Sequence, residues 1–151
     1  MELDIQRLLR ILPYRRPALL IDRVVELEPR KSARGIKCVT YAEPAFDGQS
    51  GGSPMFPNSM LLEAMSQLFA VLAYASEPFD NTQKVFYFLG LDGAKFRRPV
   101  VPGDRVELEV KLEQRRSNIW KGVATASVDG HLCAQAELLA ALTDREELPK
   151  P

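Results

Sequence analysis

The spacing of apolar residues predicts two helices and a set of strands. Leucine and isoleucine recur at helical spacing over residues 3–12, and Pro13 ends that pattern. A long second helix is predicted from about Asn58 or Ser59 to about Ser76, because both starting residues are good N-caps and Pro57 precedes them. The remaining apolar stretches predict strands over Leu19–Glu28, Ala33–Thr40, Lys84–Leu91, Arg105–Arg116, Ile119–Asp129 and Leu132–Leu142.

Short polar turns separate these strands, which favours antiparallel pairing. Turn residues lie at Glu28–Lys31, at Ser117-Asn118 and at Asp129-Gly130. Within Arg105–Arg116, valine and leucine alternate with glutamate and lysine, so one face of that strand is wet, as in antiparallel sheets. We therefore predict an α+β fold over a single domain, residues 1–151, with an antiparallel sheet wrapped around the long helix.

Composition narrows the class of protein. The chain has 151 residues, 46% of them hydrophobic, and 20 basic residues balance 20 acidic ones. This length can bury a core, and the missing excess of basic residues argues against a nucleic-acid partner. Cys38, Cys133 and the single histidine, His131, form neither a disulfide framework nor a metal site, which favours a reducing cytoplasm. No targeting segment is seen, and the uncharged stretch Ala64–Ser76 is shorter than the ~20 residues of a membrane span.

The long helix carries one acidic residue, Glu63. Apolar residues cover nearly the whole circumference of this helix, so we expect protein around it and a carboxylate that is costly to keep charged. Gln67 lies on the same face and can hydrogen-bond the carboxylate. Glu63 is either a functional acid, which we favour, or a partner of the positive end of the helix dipole.

A glycine-rich loop over residues 46–54 leads into this helix. Backbone N–H groups of such a loop can approach and polarise a ligand carbonyl. The same composition also fits a flexible connector. Because the loop adjoins the lone acid of the helix, we treat the two together as a candidate site.

Ordered motifs along the chain resemble the bacterial β-hydroxyacyl-acyl carrier protein dehydratases of the hotdog fold. The resemblance runs from Leu12 to about Leu142, and the segment 91–104, LDGAKFRRPVVPGD, is its most specific part. The other matching segments are residues 12–17, 19–24, 62–67, 119–122, 128–130 and 134–138.

This resemblance implies a dimer with continuous sheets and two active sites at the interface. Each site takes a histidine from the loop of one subunit and a glutamate from the helix of the other. The substrate is carried on the phosphopantetheine of acyl carrier protein, and no cofactor is needed. Glu63 falls on the family's acid, Gln67 on the glutamine that orients it, Gly52 near the thioester carbonyl, and Tyr87 on an aromatic residue that gates the acyl tunnel.

One position departs from the family in a way that changes the chemistry. The family's loop reads Gly-His-Phe-Pro-Gly, and Gln49 occupies the histidine position. An amide does not titrate near neutral pH, so it cannot take the α-proton, and loss of such a group costs ~10²–10⁴ in rate. His131 follows a hairpin turn and is not expected to replace the base.

Three functions remain open from the sequence. The chain is a redirected subunit whose Glu63 completes the site of a histidine-bearing paralogue, a weakly active homodimeric dehydratase, or an acyl-thioester hydrolase. The hydrolase, ranked last, would use Glu63 with Gln49 and backbone N–H groups for the oxyanion.

A local excess of basic residues surrounds the most specific motif. Lys95, Arg97 and Arg98 stand close together and could steer an acidic acyl carrier protein to the tunnel. The alternative is a set of solvated loop charges. An apolar helix under a small sheet also predicts an oligomer, either a homodimer or a heterodimer, that covers an exposed sheet edge.

Overall fold

The computed structural model describes residues 1–150, which form one antiparallel six-stranded sheet around a central helix. The order of strands across the sheet is β1-β2-β4-β5-β6-β3. The elements are α1 (Ile5–Ile11), β1 (Arg23–Glu28), β2 (Ser32–Cys38), α2 (Asn58–Ser76), β3 (Lys84–Phe96), β4 (Arg105–Arg116), β5 (Ile119–Val128) and β6 (His131–Asp144). This arrangement confirms the α+β hotdog fold that the sequence predicted.

Helix α2 is the core of the molecule. It packs against β2, β4 and β5, and all of its residues from Ala64 to Ala73 are buried. Its length and mean hydropathy of 1.2 would suffice for a membrane span, but its buried residues face the sheet. The predicted bounds are correct, whereas the predicted cap is wrong: the N-cap is Pro57, which makes no side-chain capping bond, in place of Asn58 or Ser59.

β1 and β3 differ most in length from the prediction, because of their hydrogen-bond partners. β1 begins at Arg23 instead of Leu19, since the chain before it is hydrogen-bonded to α2 through Leu20. β3 continues past Leu91 to Phe96, because β6 is long enough to pair with it across two bulges. The pattern of apolar residues could not predict the start of β1 or the end of β3, since both depend on contacts with a distant segment of the chain.

β3 forms one edge of the sheet and pairs only with β6 among the strands of residues 1–150. Alternate apolar side chains on it are exposed: Tyr87 at 44%, Leu89 at 51% and Leu91 at 43%. A long edge strand with an apolar face is a template for pairing with another chain. The single chain therefore leaves a surface suited to an interface, as the sequence predicted.

Candidate active site

Glu63 and Gln67 form a hydrogen-bonded pair on α2. Gln67 is 1% exposed, and its Nε2 donates to Glu63 Oε1 at 3.0 Å and to the carbonyl of Ala18 at 2.7 Å. Its Oε1 accepts the Leu20 N–H at 2.9 Å. Gln67 is thus fixed by the segment before β1 and orients the carboxylate, as the four-residue spacing predicted.

Glu63 itself is exposed on the single chain. This corrects the expectation that protein surrounds α2 throughout, because only Leu61 is buried among the first residues of the helix and continuous burial begins at Ala64. The carboxylate is therefore presented at the surface, on a side chain whose rotamer is held from below by a buried amide.

Tyr14 is a neighbour of this carboxylate that the sequence analysis did not identify. The phenol is partly buried, and its burial raises its pKa above the usual value. The negative charge of Glu63 raises the pKa further. Tyr14 lies in the first of the resembling motifs, which was the only sequence signal for it. Its hydroxyl is protonated at neutral pH and can donate a hydrogen bond.

Gln49 is held by its own loop. Its Nε2 donates to the carbonyls of Ala45 and Met55, both at 2.9 Å, and its Oε1 accepts the Met55 N–H at 3.2 Å. The side chain thus bridges the two sides of the glycine-rich loop. Gly52 lies within the bridged segment, exposed and with φ of +76°, a backbone conformation that favours glycine.

The loop is anchored at its base by a buried ion pair. Lys37 is 5% exposed, and its ammonium contacts the Glu43 carboxylate and donates to the Cys38 carbonyl at 3.1 Å. The other carboxylate oxygen of Glu43 accepts the Thr40 N–H at 2.9 Å. The chain therefore leaves β2 in a defined direction before it reaches Gln49.

A cavity of about 480 Å³ opens beside Gln49. Phe56, one of its lining residues, donates its backbone N–H to the Val100 carbonyl at 2.7 Å. The cavity is lined by Gln49, Met55, Phe56, Pro57, Asn58, Phe96, Arg97, Arg98 and Pro99. Two guanidinium groups and several apolar side chains thus meet at the loop, a combination that suits an anionic carrier with an acyl arm.

The remaining candidate residues are distributed around the molecule. Lys95 does not line this cavity but a separate depression with Gly93 and Gln135. Tyr87 is on the exposed edge of β3, and His131 is exposed at the first position of β6. Sequence proximity had grouped Lys95 with the two arginines, but Lys95 is still within β3, whereas Arg97 and Arg98 follow the end of that strand.

Within residues 1–150 no hydrogen bond joins Gln49 to Glu63. Each of the two residues has its own set of hydrogen-bond partners within the chain. Over the same residues, no group of three His, Cys, Asp or Glu side chains is arranged to hold a metal ion. The chemistry available to this chain is that of one oriented carboxylate, one phenol and the loop backbone.

Known proteins share both the sequence and the fold of this chain. The FabA-like domain family model matches residues 12–137. The 3-hydroxyacyl-[acyl-carrier-protein] dehydratase FabZ of Sorangium cellulosum is 50% identical over 144 residues, which make up 95% of this chain and 93% of that protein. The FabZ of Cereibacter sphaeroides is 49% identical over 147 residues, 97% of this chain and 92% of its own.

Solved structures with lower identity share the fold. The dehydratase heterocomplex ApeI:P from Xenorhabdus doucetiae superposes with a TM-score of 0.79 at 15% identity, over 93% of both chains. A mutant thioesterase from Pseudomonas aeruginosa superposes with a TM-score of 0.67 at 16% identity, over 94% of this chain and 95% of its own. The family match and the identity to FabZ proteins go further than fold, and on them the chain belongs to the FabA-like family of 3-hydroxyacyl-[acyl-carrier-protein] dehydratases.

Proposed function

We propose that this chain is a 3-hydroxyacyl-[acyl-carrier-protein] dehydratase subunit with little activity alone, which supplies Glu63 to a histidine on a partner subunit. FabZ-type dehydratases need no cofactor, and their substrate is carried on acyl carrier protein. Dehydration removes the α-proton and the β-hydroxyl, forms the carbon–carbon double bond and releases water. One group must take the proton and another must protonate the leaving hydroxyl.

The exposed, oriented carboxylate of Glu63 carries this proposal. Gln67 and the backbone behind it fix the carboxylate at the surface, where a second subunit can meet it. An acid that served only α2 would not need a buried amide to set its rotamer. Glu63 is thus suited to protonate the leaving hydroxyl in a site completed by another chain.

Gln49 supports the second part of the proposal, that the chain lacks a base of its own. An amide cannot accept the α-proton, and this amide is already bonded to the loop backbone. The same bonds disfavour the hydrolase alternative, because the side-chain amide of Gln49 has no N–H left to contact a substrate.

A spectrophotometric assay with a short 3-hydroxyacyl or enoyl thioester tests the missing base. We expect the isolated chain to be slower by about 10²–10⁴ than a histidine-bearing family member. Gln49→His should raise the rate, and Gln114→His, on β4, is the control. Turnover equal to that of a histidine-bearing member would contradict the proposal, and release of free thiol would identify a hydrolase.

Native mass spectrometry of the protein isolated from its own cells tests the partner. We expect a second, related subunit, and we expect Glu63→Gln to lower the dehydratase rate of that complex by about 10²–10⁴. Glu137→Gln, an exposed carboxylate on β6, is the matched control. A homomeric assembly in the cell would leave the weakly active homodimer as the function.

We further propose that Arg97 and Arg98 receive the acidic acyl carrier protein. Both guanidinium groups border the cavity at the loop, whereas Lys95 lies elsewhere. The double variant Arg97→Glu/Arg98→Glu should weaken carrier-protein binding by more than about tenfold at low salt, measured by titration calorimetry. The double variant Arg10→Glu/Arg116→Glu makes the same charge change at other exposed positions and is the control. Equal losses of carrier-protein affinity in the two double variants would contradict docking at Arg97 and Arg98.

The two cysteines support the cytoplasm as the compartment. Cys38 is exposed and Cys133 is buried, and both are free thiols. Free thiols of this kind persist in a reducing compartment.

A further inference from the structure

The hydrogen bonds of Gln49 use all the donors of its amide. A primary amide has two N–H hydrogens, and here one goes to the Ala45 carbonyl and the other to the Met55 carbonyl. The Oε1 atom already accepts the Met55 N–H. The Gln49 side chain thus exchanges two hydrogen bonds with the backbone of Met55. Paired residues in neighbouring antiparallel strands exchange two bonds in the same way.

Residues 50–54, the part of the loop between Gln49 and Met55, are not buried and make no hydrogen bond of their own within residues 1–150. Gly48, Gly51 and Gly52 have positive φ angles, and a Cβ at any of them would have no neighbour within 4 Å. Glycine-rich chain loses more conformational entropy on ordering than other sequences do. The three bonds of Gln49 therefore replace side-chain packing as the restraint on this loop.

The bridge also has a consequence for the cavity. Met55, the far end of the bridge, is followed by Phe56, whose N–H is bonded to Val100. Met55 and Phe56 line the cavity together with Arg97 and Arg98. Any movement of the bridged loop would move this wall with respect to the two guanidinium groups.

We propose that Gln49 is a positioning residue whose amide closes the loop over residues 45–55 and holds the cavity in the shape that receives the thioester arm. It acts through the loop backbone and not on the reacting atoms. The identity of the ligand rests on the proposed function, whereas the closure of the loop rests on the three hydrogen bonds alone.

The variant Gln49→Glu tests the donor groups of the amide alone, because glutamate has nearly the same size as glutamine but no N–H group. An ionised carboxylate accepts the Met55 N–H but has no hydrogen for the two carbonyls, whereas a protonated carboxyl group has one. The charged groups near it are Asp47 in the same loop and Arg97 and Arg98 across the cavity. Gln49→Ala removes all three bonds, and Gln6→Glu places the same charge on exposed α1 as a control.

Amide hydrogen exchange at Met55 gives the direct measurement. At neutral pH we expect the Met55 protection factor to fall by roughly tenfold or more in Gln49→Ala, which loses the acceptor, and to stay unchanged in Gln6→Glu. In Gln49→Glu we expect a smaller fall, because the carboxylate still accepts the Met55 N–H but cannot donate to the two carbonyl groups. When the pH is lowered and the introduced carboxyl group becomes protonated, protection should return in Gln49→Glu and not in Gln49→Ala. Affinity for a pantetheine thioether analogue of the acyl substrate, compared with unmodified protein at each pH, should fall and recover in parallel.

Three other results would contradict either this proposal or the proposed function. Unchanged protection of Met55 in Gln49→Ala would overturn the proposal. Lost affinity with unchanged protection would also overturn it, because Gln49 would then contact the substrate directly. If the unmodified protein fails to bind the analogue, the proposed function fails, and the exchange data still decide whether Gln49 closes the loop.

Discussion

At the scale of single residues, the site depends on how side-chain amides are used. Gln67 and Gln49 have the same chemistry, yet one holds a carboxylate and the other holds a loop. The difference follows from location, since Gln67 is buried beneath the segment before β1 and Gln49 lies among backbone groups without other partners. The i, i+4 spacing predicted the first role, whereas no spacing rule predicts the second.

Tyr14 provides a pH-dependent test at this scale. Burial and the charge of Glu63 both raise the pKa of Tyr14, so Glu63→Gln should lower that pKa while leaving it above about 10, because burial is the larger cause. A group with a raised folded-state pKa stabilises the fold fully below about pH 10 and loses that contribution as pH rises through its folded pKa. Phenolate absorbance, with Tyr14→Phe subtracted to isolate one residue, measures the shift. If Tyr14 titrates identically in the unmodified protein and in Glu63→Gln, the charge of Glu63 does not affect the pKa of Tyr14, and the prediction is wrong.

At the scale of elements, the contact between α2 and β5 sets how closely the sheet wraps the helix. Gly122 on β5 allows the ring of Phe69 to approach, since a Cβ there would lie 2.8 Å from Phe69 Cε2 and 2.6 Å from the Lys111 carbonyl oxygen. Glycine is a weak strand former, so this position is explained by close approach and not by propensity. The strand pattern predicted β5, but only the packed structure shows why it contains a glycine.

Gly122→Ala is therefore expected to destabilise the protein by about 1–3 kcal/mol, because the backbone oxygen of Lys111 cannot move without disturbing the sheet. Gly90→Ala on β3 is the matched control, since a Cβ at Gly90 meets nothing within 4 Å. Urea unfolding of both variants gives the free energies. Equal stabilities would show that α2 and the backbone of β4 can both shift to accept the added Cβ without cost.

At the scale of the whole molecule, the free edge of β3 is the surface at which we expect the chain to assemble. Dimers are typical of this fold family, and the exposed side chains of Tyr87, Leu89 and Leu91 offer the apolar face that such pairing covers. The face of Glu63 is open on the same single chain. In the proposed function, the pairing of two subunits therefore also completes the active site.

Leu89→Lys should convert the purified chain from a dimer to a monomer, because it places a charge on the apolar edge that pairing would bury. Ile5→Lys is the control, since Ile5 is a similarly exposed apolar residue on α1. Sedimentation equilibrium of both variants measures the mass. A dimer that persists in Leu89→Lys would assign the interface to another surface.

The sequence by itself determined the elements and the chemistry that is present. Apolar periodicity and turn residues specified α2 and the hairpins of β4, β5 and β6, because these signals lie within one element or its immediate neighbours. Motif order predicted the family, and comparison of the loop motif with that family led to the interpretation that Gln49 occupies the histidine position. Tertiary structure decided that Glu63 is exposed, that β3 reaches Phe96 at the sheet edge, and that Gln49 bonds its own loop. Those features depend on which distant groups share space, and a linear pattern does not encode that.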